Sequence, residues 1–380
     1  MFGNAPSPKL KIVHIMTLNG RNGEYGGPVR VARELCAELN KRGHAGSIFA
    51  GSLVGAEPES MPGLTESYVI VKPILKRFTA STLWSWRLIP EIRKIIISSD
   101  IVHIHFARDL VPFLASFISI IYQKPFVTQT HGMIVPDRRL STRLTDSLLT
   151  RPLMNKSKAN LVLTHVELSS IQKLKIKSPS EVLPNGIALP TKDIARINPN
   201  NRVIFCSRLH KRKGIDKFIE LADIYRDSGI KFEIYGPDSG ELALVESEIN
   251  SRKLDGILSY MGALPANKVE EVLAEIDLLI LPSKDEPFPM VVLEALALGT
   301  PVLIMPSCGF ANLLGSFDSS FVATSEDIHG LVNSFRIQKD NSFQGNTHSS
   351  IVAFCEANFA INRVVDQLIA TYKNAVSHAG

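Results

Sequence analysis

This 380-residue chain has little cysteine. Its four, Cys36, Cys206, Cys308 and Cys355, stand far apart, without the close spacing of a metal centre. That speaks against a disulfide framework and for a reducing compartment. Long apolar runs are missing as well. None reaches the roughly 20 residues that cross a bilayer, and the longest candidate, Val111 to Tyr122, reads as a buried helix. The opening Met1-Phe2-Gly3-Asn4-Ala5-Pro6 has neither a charged first region nor an apolar core, so no secretory signal is expected. No basic stretch reads as interleaved with exposed aromatics, so nucleic acid is not an expected partner.

What is present is the composition of an ordinary α/β protein, with 45% apolar and 21% charged residues. The length suits two domains. The net charge of +5 hides an asymmetry. Residues 1–190 hold 24 Lys and Arg against 13 Asp and Glu, and the remainder 18 against 24. A basic first half suits an anionic partner, such as a membrane surface or a phosphorylated acceptor, or is simply a solvated face. The segment Lys72 to Lys94 mixes Lys72, Lys76, Arg77, Arg87, Arg93 and Lys94 with Leu75, Phe78, Leu83, Trp84, Trp86, Leu88 and Ile92. Trp beside cations is the composition of an interfacial helix, although Pro73 and Pro90 limit any single helix there. A packed helix with its charges in water is the other reading.

Apolar strands alternate with amphipathic helices along both halves. In the first half the strand candidates are Lys11 to Thr17, Ile48 to Ala50, Tyr68 to Val71, Ile101 to His105, Phe126 to Thr130 and Ala159 to Thr164. In the second they are Val203 to Ser207, Lys231 to Tyr235, Ile257 to Tyr260, Leu278 to Leu281 and Val302 to Met305. Each series predicts a doubly wound, Rossmann-like parallel sheet. Pro184-Asn185-Gly186 is a turn signal, and Ala188 to Asn201 reads as a linker. The expected domains are 1–187 and 188–350, with a helical tail over 351–380. Two such domains imply a cleft.

Chemistry concentrates at strand ends, where open α/β sheets bind ligands. Glu286 and Glu294 bracket Pro287-Phe288-Pro289-Met290-Val291-Val292-Leu293 after the strand Leu278 to Leu281. Pro289 suits the first helical position. The helix start would then offer the N–H groups of Met290, Val291 and Val292 to an anion, with a carboxylate on either side for hydroxyls. Ser207 to Asp216 follows the first strand of the second half and carries Arg208 and Lys213, two cations suited to a diphosphate. Gly26-Gly27-Pro28 lies between the first strand and a helix, where a backbone can approach a ligand closely. Thr130-His131-Gly132 ends another strand. His103 and His105 alternate along an apolar strand and read as core or wall residues, since no third metal ligand is evident.

The spacing of Glu286 and Glu294 resembles the Glu-x7-Glu motif of the retaining glycosyltransferases of family 4, which have the GT-B fold. Four further segments match that family in order: Gly26-Gly27-Pro28, Thr130-His131-Gly132, Val182 to Ile187 as a hinge, and Ser207 to Asp216. The resemblance implies two Rossmann-like domains facing a cleft, with the tail crossing back to the first. It implies a sugar nucleotide on the second domain and a glycan or lipid-linked acceptor on the first. Glu294 would hold the ribose, Glu286 the sugar hydroxyls, and Arg208 with Lys213 the departing diphosphate. His131 would face the donor sugar, Gly26 and Gly27 would border the phosphate, and Phe288, Met290 and Val291 would lie along the donor. Gly236, Gly262 and Ala263 would border the base. The departing phosphate would itself deprotonate the acceptor. No Asp-x-Asp motif is present, so neither metal nor cofactor is expected.

Two departures stand out. Ala188 replaces the Asp that normally ends the hinge. Pro287-Phe288-Pro289 replaces a common Gly-Phe-Gly, which removes the N–H at 289 and any contact it would make to a sugar hydroxyl. The implied setting is bacterial polysaccharide or glycolipid synthesis, in the cytoplasm or peripherally on the inner face of the membrane. Two rivals share the fold, namely a nucleotide-sugar epimerase and a non-catalytic binding subunit.

Overall fold

The structure, a computed structural model, describes residues 9–20, 27–57, 61–74, 81–190, 200–342 and 348–377. The chain forms two compact units. One runs to Gly186 and resumes at Ile361; the other is Ile187–Ala360.

The first unit holds β1 (Lys11–Leu18), β2 (Ala45–Ser52), β3 (Thr65–Ile70), β4 (Lys72–Pro73), β5 (Leu83–Trp84), β6 (Ile101–His105), β7 (Phe126–Gln129), β8 (Ala159–Val162) and β9 (Ser180–Val182). Seven of these pair in the order β3-β2-β1-β6-β7-β8-β9, every pair parallel. Strands β4 and β5 make a separate antiparallel ribbon. Helices cover the faces, so β6, β7 and β8 are buried along their whole length. One core layer joins Val13, Ile15, Phe49, Val102 and Ile104 to Ile92, Ile96, Val111 and Ala115. The helix Leu110–Ile121 is buried on one side only, since Phe117 and Ile121 are exposed.

The helix Ile361–Ser377 also belongs to this unit. Val364, Val365, Leu368, Tyr372 and Ala375 form its apolar stripe and are buried. It packs on the helix Gly27–Lys41 and on β6 and β7. The return begins at Ile361, later than the pattern from Ile351 implied. The reason is aromatic: the helix His348–Phe359 is anchored in the second unit by Phe359 stacked on Phe310 and Phe354 stacked on Phe317. At the first crossing, a side chain on Gly186 would strike Ile361, and Ile187 donates its N–H to the Phe359 carbonyl at 2.8 Å.

The second unit holds β10 (Arg202–Cys206), β11 (Lys231–Tyr235), β12 (Leu258–Gly262), β13 (Leu278–Leu281) and β14 (Val302–Ile304). They pair in parallel in the order β12-β11-β10-β13-β14. The strand order reverses between β10 and β13 here, and between β1 and β6 in the first unit. A crevice opens at such a switch point, outside the carboxyl ends of the strands.

Candidate active site

In the second unit the loops after β10 and β13 meet at the switch point. The first holds a short 3-10 turn, Lys211–Lys213, capped by the His210 side chain and closed by Gly214. Gly214 has φ +71°, and a Cβ there would lie 2.1 Å from the Pro282 carbonyl oxygen. Only glycine lets the two loops touch. Lys284 donates its N–H to the Arg212 carbonyl at 2.9 Å, and the Arg212 guanidinium reaches the Asp285 carbonyl at 3.1 Å. The result is an ion pair: Lys213 Nζ lies 2.6 Å from Glu286 Oε2, with the side chains 17% and 18% exposed. Arg208 stands exposed on the same loop.

Main-chain contacts hold Glu286 from behind. Its carbonyl accepts the Gly309 N–H at 2.8 Å, and the preceding N–H of Asp285 donates to Ser307 Oγ at 3.0 Å. Asp285 itself is left-handed, with φ +50°, which aims the following residue across the loop. Glu294, 8% exposed, sits within the helix Met290–Ala297. Three details differ from the sequence reading. Pro289 is the capping residue, not the first helical one. The Val292 N–H is bonded to the Pro289 carbonyl at 3.1 Å, because the first turn tightens, so it is not available to an anion. The Phe288 ring turns inward against Phe310, with ring centres 4.1 Å apart, which leaves a ligand only the main chain at that position.

The base-side residues lie on neighbouring loops. Gly236 has φ +152°, and a Cβ there would fall 1.8 Å from the Ser207 carbonyl oxygen. Its N–H bonds the Gly262 carbonyl at 2.8 Å, and its own carbonyl accepts the Tyr260 hydroxyl at 2.9 Å. Ala263 is exposed beside it.

In the first unit Gly27 opens the helix Gly27–Lys41, whereas Gly26 lies outside the described residues. His131 follows β7 with φ +48°. Glu167 pins this bend. It accepts the Thr130 hydroxyl at 2.5 Å, the Gly132 N–H at 2.5 Å and the Leu163 N–H at 2.7 Å, while its own N–H bonds Thr164 as in a capping box. Burial raises the pKa of this carboxyl, and the three donors oppose that shift.

Behind His131 lies a feature that sequence reasoning missed. Its Nε2 is 2.7 Å from His105 Nδ1; His105 Nε2 is 3.1 Å from His14 Nδ1; and His14 Nε2 is 3.3 Å from the Tyr372 hydroxyl. That hydroxyl is 2.6 Å from His103 Nδ1, and His103 Nε2 is 3.1 Å from Gln129 Oε1. Burial drives all four imidazoles toward the neutral form, with His14 and His131 pushed down to about 3 and His103 and His105 well below 6.5. The expectation that His103 and His105 lack a third companion is overturned. His14 pairs with His103 in register across the parallel strands β1 and β6. The three rings lie close enough for their nitrogens to share an ion. Yet His103 stacks within 21° of His14 and within 18° of His105. Ligating lone pairs lie in the ring plane, and nearly parallel planes do not converge on one point. This packing suits hydrogen bonding along the stack and not chelation.

Comparisons with known proteins agree with this architecture. A family model described as Glycosyltransferase Family 4 matches residues 25–189, and one described as Glycosyl transferases group 1 matches 191–342. The lipopolysaccharide glucosyltransferase WaaG of Escherichia coli (strain K12) is 26% identical over 175 residues, 42% of this chain and 46% of the relative. The putative teichuronic acid biosynthesis glycosyltransferase TuaC of Bacillus subtilis (strain 168) is 28% identical over 228 residues, 57% of this chain and 55% of the relative. The chain thus spans about half the length of these curated relatives. A crystal structure of Anabaena Alr3699/HepE in complex with UDP and glucose superposes with a TM-score of 0.73 over 96% of this chain and 99% of that one, at 17% identity. Two parallel α/β units of this topology define the GT-B glycosyltransferase fold. Within that class, the chain belongs to the family 4 glycosyltransferases.

Proposed function

We propose that the protein is a retaining glycosyltransferase that moves a sugar from a nucleotide-sugar donor to a glycan or lipid-linked acceptor, in bacterial polysaccharide or glycolipid synthesis. The Lys213–Glu286 pair at the switch point carries this reading. Without ligand the two charges satisfy each other. A bound diphosphate competes for Lys213, with Arg208 on the same loop, and so frees Glu286 to accept sugar hydroxyls. Glu294 holds the ribose, and the N–H groups at the start of its helix face the phosphates. Cations fixed where negative charge builds up on the leaving group supply the transition-state stabilisation. They stand in for a metal, and no cofactor is required. HepE in complex with UDP and glucose, and the curated names of WaaG and TuaC, support the donor class and the setting.

The test is a panel of nucleotide sugars in a thermal-shift and turnover assay. One donor should raise the melting temperature, and donor at about 100 times its dissociation constant stabilises by about 2.7 kcal/mol. The same donor should be hydrolysed slowly without acceptor. Product sugar still attached to nucleotide would make the protein an epimerase, and binding without turnover would make it a non-catalytic subunit.

An anionic membrane surface is the partner we infer for the basic unit, but not through Lys72 to Lys94. That stretch is two short strands and the start of a helix, with Leu83, Leu88 and Ile92 in the core and residues 75–80 outside the described residues. A better face lies at Leu140, Leu144 and Leu148, which are 80%, 60% and 63% exposed at helical spacing. Arg138, Arg139 and Arg143 are exposed around it, which is the pattern of an interfacial helix. No helix among the described residues is long and apolar enough to cross a membrane. Co-sedimentation with anionic vesicles should weaken as salt rises, and Leu144→Asp should abolish it. Retention by that variant would remove this face from consideration.

A further inference from the structure

We propose that His131, His105, His14, Tyr372, His103 and Gln129 form one directional hydrogen-bond chain that fixes the tautomer of His131 and leaves its Nδ1 as an acceptor for a ligand hydroxyl. The inference rests on the reading that His131 faces the donor sugar. His105, His14, Tyr372, His103 and Gln129 are then positioning residues, and Tyr372 comes from the helix that returns to this unit at the end of the chain.

The direction follows link by link. The Gln129 carbonyl oxygen only accepts, so His103 carries its proton on Nε2 and donates it at 3.1 Å. Neutral imidazole has one N–H, so His103 Nδ1 is an acceptor and takes the Tyr372 O–H at 2.6 Å. The Tyr372 oxygen then accepts from His14 Nε2, and His14 Nδ1 accepts from His105 Nε2. Finally His105 Nδ1 accepts from His131 Nε2. Every ring therefore holds its proton on Nε2. Each ring in the interior of the chain uses both nitrogens, so none can invert alone without leaving two buried groups facing like to like.

The chain cannot carry a proton away. An amide oxygen does not ionise near neutral pH, so a shift along the five links has no terminal acceptor. Its effect is orientation. His131 is also a poor general base, because burial opposes its protonation. One cost is visible: Gln129 Nε2 has no partner among the described residues. Turning the amide over would exchange that bare nitrogen for a bare oxygen and reverse every link, giving four Nδ1–H rings.

The experiment uses the full chain labelled with nitrogen-15 at histidine, and two-bond proton–nitrogen correlation spectra without ligand. Four of the ten histidines should show the Nε2–H pattern and stay neutral at pH 5.5. Single substitutions assign them. Four Nδ1–H patterns, or two tautomers among the four, would overturn the proposal. Tyr372→Phe removes the middle link, so the His131 signal should shift toward a mixture, and kcat should fall roughly tenfold while the donor KM changes less than twofold. An unchanged His131 signal in that variant would also overturn it. If the variant does not fold, the wild-type spectrum alone decides. The spectra need no turnover, so an inactive protein with four Nε2–H rings would sink the transferase reading and leave the chain standing.

Discussion

The two units solve the same problem in opposite ways. Both present the candidate side chains at the carboxyl ends of parallel strands. In the second unit the groups are charged, partly open to solvent, and held by main-chain contacts and two glycines that no other residue can replace. In the first they are neutral imidazoles, with His14, His103 and His105 buried and His131 half-buried, held by side-chain hydrogen bonds and a carboxylate. The difference matches the chemistry proposed for each. A diphosphate is met by fixed charge, which acts strongly and tolerates small displacements. A sugar hydroxyl is met by orientation, which depends on which nitrogen carries a proton.

The largest test of this contrast is Lys213→Ala. Turnover should fall by about 10²–10³, as for loss of a transition-state donor. Removing the cation also leaves Glu286 partly buried without its partner, so the second unit should lose about 1–3 kcal/mol. The double variant Lys213→Ala with Glu286→Gln should regain most of that stability and none of the turnover. Recovery of turnover would show that the pair is structural.

Acid should separate the units next. The four imidazoles are neutral when folded and take up protons near 6.5 when unfolded, so the unfolded chain binds more protons as pH falls. Their stabilising effect is full above pH 6.5 and is lost on the way down toward about 3. Each contributes a slope of about 1.4 kcal/mol per pH unit while it differs. Both tryptophans, Trp84 and Trp86, lie in the first unit, and Trp84 packs on its core. Their fluorescence should therefore report acid unfolding before helical signal from the second unit is lost. A single shared transition would count against separate control.

Glu167→Gln is the smallest perturbation. One of the acceptor lobes becomes a donor facing donors, which should cost the first unit about 1–3 kcal/mol. Donor KM should be unaffected by comparison with Glu294→Gln, which removes the proposed ribose contact. Equal changes of KM in both variants would mean that the His131 bend and the proposed nucleotide site are not independent.

Most of the architecture was legible in the chain. Each of the eleven strands read from apolar runs corresponds to an observed parallel strand; those buried on both faces, such as β6, β7, β8 and β13, leave the plainest signature. The strands missed, β4, β5 and β9, are only two or three residues long, too short for a periodic pattern. The charged motifs of the second unit were equally visible in the chain, with Arg208, Lys213 and Glu286 on the loops after β10 and β13 and Glu294 in the helix that follows. What escaped was non-local. Tyr372 lies 269 positions from the His103 that it bonds, and no spacing rule links them. His14 could have been found, since a histidine in the middle of an apolar strand, beside a second strand with two, is costly to bury without partners. Glu167 was hidden because a capping-box acid looks the same whether or not it also grips a neighbouring loop.

The return of the last helix to the first unit has a consequence for biosynthesis. A chain emerges in order, and domains generally fold as they appear. Here the segment 187–360 is made between two parts of the first unit. The second unit can therefore fold as soon as Ala360 is clear, while the first must wait for Tyr372 with its polar interior unfinished. Until then the buried imidazoles of His14 and His103 lack the hydroxyl that joins them, and the apolar stripe of helix Ile361–Ser377 is absent from the sheet. A ribosome stalled before residue 361 would hold a finished second unit and a first unit that is still exposed to chaperones and proteases.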